Sequence, residues 1–141
     1  MGNVENLGRR PDPVVRIDSA FFWEACERGE FVAQKCCGCD RLWHPPRGMC
    51  PVCHSTQKTT APLSGRGRVM SFAMPVHPPA YGFDEPPIPA LIELEEGLRF
   101  VGTLVAVEPD DVVIGMPVKV GFAATTGGKA VPVFHPAGEH A

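Results

Sequence analysis

From Leu63 onward the hydrophobic and polar positions alternate with period two, whereas a stretch near Phe21 repeats its apolar residues at helical spacing. Period-two alternation marks strands with one buried face. It predicts five strands, at Gly67–Pro75, Ile88–Glu95, Leu98–Val107, Met116–Ala123 and Ala130–Phe134, each bounded by Gly, Pro or Asp. Glu95-Glu96-Gly97 and Thr126-Gly127-Gly128-Lys129 are short glycine-containing junctions of the hairpin kind. The connection from Pro75 to Pro89 is instead long and carries six prolines, the mark of a loop kept for function or left irregular. In the first part of the chain, Phe21, Phe22, Ala25 and Cys26 fall on one face of a short helix. Asp18 or Ser19 caps it, it runs to about Arg28, and Gly29 stops it in the left-handed position. Phe31–Lys35 and Arg41–His44 read as short strands around a cysteine turn. Residues 1–17 are polar and broken by Pro11 and Pro13, and read as a mobile arm.

Composition agrees with this pattern. Sixteen Pro, fifteen Gly and only 21% charged residues disfavour a helical bundle. With 141 residues, the chain has room for one core without disulfides. The expected fold is mainly β: an N-terminal arm and helix over residues 1–30, a metal ribbon over 31–60, and a five-stranded barrel over 61–141. The 13 basic and 16 acidic side chains give a net charge of −3. Residues 1–60 carry eight basic against seven acidic groups, and residues 61–141 carry five against nine. A surface that tracks phosphates needs the opposite sign. No apolar run approaches the ~20 residues of a membrane span, and the N-terminus carries neither a secretory h-region nor the myristoylation pattern. The expected location is the cytoplasm, where paired thiols hold metals rather than form disulfides.

Cys36-x-x-Cys39 and Cys50-x-x-Cys53, ten residues apart, form the strongest signal in the chain. Two residues between thiolates let one tight turn aim both sulfurs at an ion, and two such knuckles complete a tetrahedron. The metal is expected to be structural zinc, because four thiolates leave no position open for water; iron uses the same four sulfurs in a rubredoxin-type site. Cys37 has a single residue between it and Cys39, a poorer knuckle, and reads as a bystander, and Cys26 reads as a core residue. His44 and His54 lie inside the ribbon, where a filled tetrahedron needs no further ligand. His135 and His140 lie in a Pro- and Gly-containing tail and read as solvated.

His77, Tyr81 and Phe83 gather in the proline-rich loop and are candidates for a ligand- or partner-facing role. Gly65-Arg66-Gly67-Arg68 enters a strand rather than a helix and reads as a barrel bend instead of a phosphate loop. Glu93, Glu95 and Glu96 read as a solvated face. No nucleophile motif, metalloprotease motif, phosphate loop or dinucleotide fingerprint is present, so no catalytic residue is assigned.

The Phe/Trp helix, the C-x-x-C…PPR-x-x-CPVC-x-S ribbon, GRGRV, the VHPP…GF loop, PALIELEEG and IGMPVKV together resemble the zinc-ribbon OB-fold proteins of acyl-CoA metabolism, long labelled only as a domain of unknown function. The resemblance covers about residues 18–136. Asp40 and His54 depart from it, standing after the knuckles where glycine is common. The resemblance implies a rubredoxin-like ribbon, an OB barrel and a non-catalytic accessory subunit. Relatives accompany thiolase-like or lipid-transfer-type proteins, some of them aldolases acting on steroid-CoA esters, and others bridge thiolase and hydroxymethylglutaryl-CoA synthase. It therefore implies a hetero-oligomer whose catalytic residues lie on the partner, with acyl-CoA as a further ligand. Phe21, Phe22 and Trp23 are expected to offer that partner an apolar surface. The competing reading is a ribbon-plus-OB nucleic-acid binder, which the −4 charge of the barrel half disfavours.

Overall fold

The computed structural model describes residues 4–138. Its helix, α1, covers Ala20–Glu27 and buries Phe22, Ala25 and Cys26 of the face the helical spacing selects, while Phe21 of that face is only half-buried. Gly29, at φ 74°, ends it as expected. Nine strands follow the chain as β1 Val4–Glu5, β2 Val32–Cys36, β3 Leu42–Trp43, β4 Lys58–Pro62, β5 Arg66–Phe72, β6 Ile88–Leu94, β7 Arg99–Leu104, β8 Pro117–Ala124 and β9 Ala130–Pro136. The period-two segments thus become β5 to β9. The exposed run Lys58–Pro62 lacked that alternation, and only its pairing with β2 makes it a strand.

The ribbon is a three-stranded antiparallel sheet in the order β3-β2-β4. The five later strands close on themselves: β5 pairs with β6, β6 with β7, β7 with β9, β9 with β8 and β8 with β5. All are antiparallel except the contact of β7 with β9 at Leu104 and Phe134. This is the five-stranded OB barrel. A register shift between Val69 and Ser71 bends β5 around it.

Inside, Val69, Ile92, Val118 and Phe134 are fully buried, each contributing about 1.5–3 kcal/mol by leaving water. A chain of rings then joins the modules. Phe22 of α1, Phe31, His44 of the ribbon, and Phe100 and Phe134 of the barrel lie within 4.6–6.1 Å of their neighbours in the cluster. The barrel therefore receives the apolar face of α1. This corrects the expectation that the helix offers its aromatics to a partner: Phe22 is buried, and Phe21 and Trp23 are partly buried against the same core.

The N-terminal arm is also not free. Val4 and Glu5 add a short parallel strand to β8. The Arg9 N–H donates to Asp84 at 2.6 Å, and the Arg10 carbonyl accepts from both the backbone N–H and the hydroxyl of Thr126. Asp12 accepts from the Gly127 N–H at 2.8 Å. Pro11 and Pro13 do break regular structure, but Arg9, Arg10 and Asp12 tie the arm to two loops of the barrel. Among the described residues, no helix is long and apolar enough to cross a membrane.

Candidate metal centre

Two copies of one turn build the centre. In the first, the Cys36 N–H donates to the Arg41 carbonyl and the Asp40 N–H to the Cys36 carbonyl. In the second, the Cys50 N–H donates to Ser55 and the His54 N–H to Cys50. The fifth residue of each turn must adopt a left-handed backbone, and Asp40 and His54 do so at φ 62° and 63°. The two departures from glycine thus keep the turn and carry its strain themselves.

Within each turn, backbone N–H groups converge on the leading sulfur. Gly38 and Cys39 donate to Cys36 Sγ at 3.3 and 3.4 Å, and Val52 donates to Cys50 Sγ at 3.4 Å. These donors favour thiolate over thiol. The Cys53 N–H, followed by that of Val52, outweighs burial and pulls the Cys50 thiol down to about 6. Cys36 is lowered likewise, first by the Cys39 N–H.

The Sγ atoms of Cys36, Cys39, Cys50 and Cys53 lie within 4.8 Å of one another. Cys36 and Cys53 are 3.4 Å apart and Cys39 and Cys50 3.7 Å, too far for disulfides. A tetrahedron with metal–sulfur bonds of about 2.3 Å has edges of about 3.8 Å, so the quartet fits one ion with little movement. Cys37 is exposed and outside the quartet, and Cys26 is fully buried, its thiol pushed up to about 12. Buried Trp43 packs against Cys36 and Cys50 and shields one side of the centre. Gln34 of β2 accepts the Arg47 N–H at 2.7 Å, holding the loop that carries the second turn.

His44 takes no part in the centre. Its ring stacks on Phe100 at 4.6 Å, and burial lowers its pKa to about 4, so it stays neutral. His54 is exposed beside the second turn. His135 corrects the expectation of a solvated tail, because it lies on β9 and meets Glu5 of the arm at 2.6 Å. His140 lies outside the described residues. Arg66 of the glycine-arginine run opens β5 and pairs with Glu95, while Glu96 accepts the Ser64 N–H.

The loop candidates separate. His77 and Tyr81 are exposed, Tyr81 at 95%, while Phe83 turns inward beneath the Arg10 guanidinium, 5.5 Å from its ring centre. Sequence reasoning missed Arg10, which is buried at 9% exposure. Nothing in a polar, proline-broken arm distinguishes it from its neighbour Arg9.

Comparison with known proteins places these features in a family. Residues 23–59 match the rubredoxin-like zinc ribbon domain of ChsH2, and residues 60–123 match its C-terminal OB-fold domain. A solved "Ltp2-ChsH2(DUF35) aldolase" chain superposes with a TM-score of 0.85 at 39% identity, over 90% of this chain and 100% of that one. The chain belongs to the ChsH2-type DUF35 family. Its zinc ribbon binds a structural metal ion, zinc in this family, and the OB barrel follows it. Curated members include a probable enoyl-CoA hydratase alpha subunit of Thermomonospora curvata, 41% identical over 91% of this chain and 40% of that protein. Another is the 3-oxo-4,17-pregnadiene-20-carboxyl-CoA hydratase alpha subunit of Mycobacterium tuberculosis, 36% identical over 79% of this chain and 37% of that protein. The chain thus spans about two-fifths of the length of these hydratase subunits.

Proposed function

We propose that this protein is a non-catalytic, zinc-stabilised subunit of a complex that cleaves carbon–carbon bonds in CoA thioesters, with the reacting groups on a thiolase-like, lipid-transfer-type partner. The observation that carries this reading is the 39% identity across the whole of a chain from a solved aldolase. The chemistry of the site supports it, since a closed set of four thiolates leaves no position for a catalytic water. Acyl-CoA and steroid-CoA esters are the substrate class, in line with the hydratase subunits that share this fold.

Zinc is assigned to Cys36, Cys39, Cys50 and Cys53, and its part is to hold the ribbon rather than to take part in the reaction. Metal analysis checks the assignment. Cys39→Ser is expected to lose the zinc or to yield insoluble protein, while Cys37→Ser keeps one equivalent. Retention of full zinc by Cys39→Ser would remove that residue from the ligand set.

His77 and Tyr81 are assigned to the partner-facing surface. Tyr81 and Val76, at 95% and 88% exposure, are large side chains left open to solvent on one proline-stiffened loop that loses little entropy on docking. The experiment is reconstitution. The chain is expected to form a stable complex with the thiolase-like subunit and to show no retro-aldol turnover by itself, and Tyr81→Ala is expected to weaken the complex severalfold. Turnover by the isolated chain at the rate of the complex would overturn the accessory reading.

A further inference from the structure

Burying a guanidinium with no carboxylate opposite it is costly, and so is burying an indole N–H with no acceptor. The structure does both around one cavity. The Nε of Arg10 and the Nε1 of Trp23 are buried without a hydrogen-bond partner. Both side chains line the same open space of about 230 Å³, bordered by the arm, α1 and the barrel. Its other walls include Pro11, Phe83, Phe100, Val101 and Pro132, and among the described residues no acidic side chain lines it.

Arg10 is held in place from several directions. Thr126 grips its carbonyl, Asp84 and Gly127 fix the chain on either side, and Phe83 lies beneath the guanidinium. Burial lowers its pKa, with no carboxylate to counter that effect. Arg9 next to it already pairs with Asp84, so only Arg10 keeps its charge uncompensated within the cavity walls.

We propose that this cavity is a binding site for an oxyanion, a carboxylate or phosphate, carried on an apolar stem, with the Arg10 guanidinium supplying the donors and the Trp23 ring lining the wall beside it. Arg10 also borders a second space of about 370 Å³, but Glu85 and Glu108 line that one and repel an anion. The Trp23 side, with apolar walls around the Arg10 guanidinium, seats the charged end and covers the stem. A ligand here neutralises the Arg10 guanidinium beside apolar walls, through charge-assisted hydrogen bonds, which are the stronger kind. This site does not depend on the accessory-subunit reading, and either can fail without the other.

The test follows the indole N–H resonances of the zinc-loaded full-length chain by NMR, with Trp43 as internal reference. The probes are hexanoate, hexyl phosphate and the uncharged hexanol. The expected result is a saturable shift of the Trp23 resonance with at least one anion, about fivefold or more tighter than with hexanol. The tighter of the two anions identifies the source as carboxylate or phosphate. Arg10→Gln is expected to reduce anion affinity to that of hexanol. The proposal is overturned if neither anion gives a saturable Trp23 shift, if hexanol binds as tightly as the anions, or if Arg10→Gln leaves affinity unchanged. Should Arg10→Gln fail to fold, the three probes on the unaltered chain decide.

Discussion

At the scale of single residues, His44 shows how a ribbon side chain becomes part of the barrel. A histidine between two cysteine knuckles has the chemistry of a ligand, yet its ring stacks on Phe100, and burial lowers its pKa to about 4. The unfolded chain titrates this group near 6.5. The folded pKa is the lower one, so the neutral ring's contribution is fully present above about pH 6.5 and is lost as pH falls towards 4. At about 1.4 kcal/mol per unit, and discounted for partial exposure, the loss is about 2–3 kcal/mol. His44→Phe keeps the stack and removes the titration. Chemical denaturation of both proteins at a series of pH values is expected to show the wild type losing about 2–3 kcal/mol relative to His44→Phe over that window. Parallel pH profiles would show that His44 is not the titrating group. The comparison is read over the pH values at which both proteins keep their zinc, because loss of the metal releases His44.

At the scale of elements, the barrel closes because some strand positions carry no side chain. On β7, a Cβ at Gly102 would stand 2.6 Å from the Phe134 ring, and on β5 a Cβ at Gly67 would stand 2.5 Å from the Glu93 carbonyl oxygen. Phe134 is fully buried and belongs to the ring cluster, so it has no room to retreat. Gly102→Ala is therefore expected to cost about 1–3 kcal/mol through overpacking, measured as a lower denaturation midpoint with an unchanged slope. Gly97, in the hairpin between β6 and β7, has nothing within 4 Å of its Cβ position, but its φ of 88° still strains any replacement. Gly102 and Gly97 thus share a residue type for different reasons, one for contact and the other for conformation. Within the arm, Pro11 and Pro13 disrupt local structure, but Asp84, Thr126 and Gly127 supply the hydrogen bonds that hold it.

At the scale of the whole molecule, ribbon, helix and barrel share one aromatic cluster, so the zinc affects more than the ribbon. Structural zinc contributes about 10–16 kcal/mol of apparent binding free energy, more than a typical domain's net stability. Removal of the metal with a chelator is expected to release Trp43 and His44, and through His44 and Phe31 to loosen the packing on Phe100. The expected readout is a lower melting temperature for the barrel as well as the ribbon, with protection of the β7 and β9 amides reduced in hydrogen exchange. A barrel that keeps its melting temperature and amide protection without metal would show that the modules are energetically separate.

The sequence by itself determined what short-range chemistry specifies. Two Cys-x-x-Cys spacings dictate convergent sulfurs, period-two alternation dictates β5 to β9, and the spacing of Phe22, Ala25 and Cys26 dictates the buried face of α1. These signals are local, because they depend on turn geometry and on which side of one element faces water. Only the tertiary structure decided the features that need a partner distant in the chain. Lys58–Pro62 is mostly exposed, without period-two alternation, and becomes a strand because β2 offers it a ladder. His135 meets Glu5 across 130 positions, and Thr126 grips Arg10 across 116. The isolation of the Arg10 charge exists only once Asp84 has been taken by Arg9 and the barrel has closed against the arm. Whether a charged group is paired, exposed or buried alone depends on the folded surroundings, and one-dimensional pattern does not encode those surroundings.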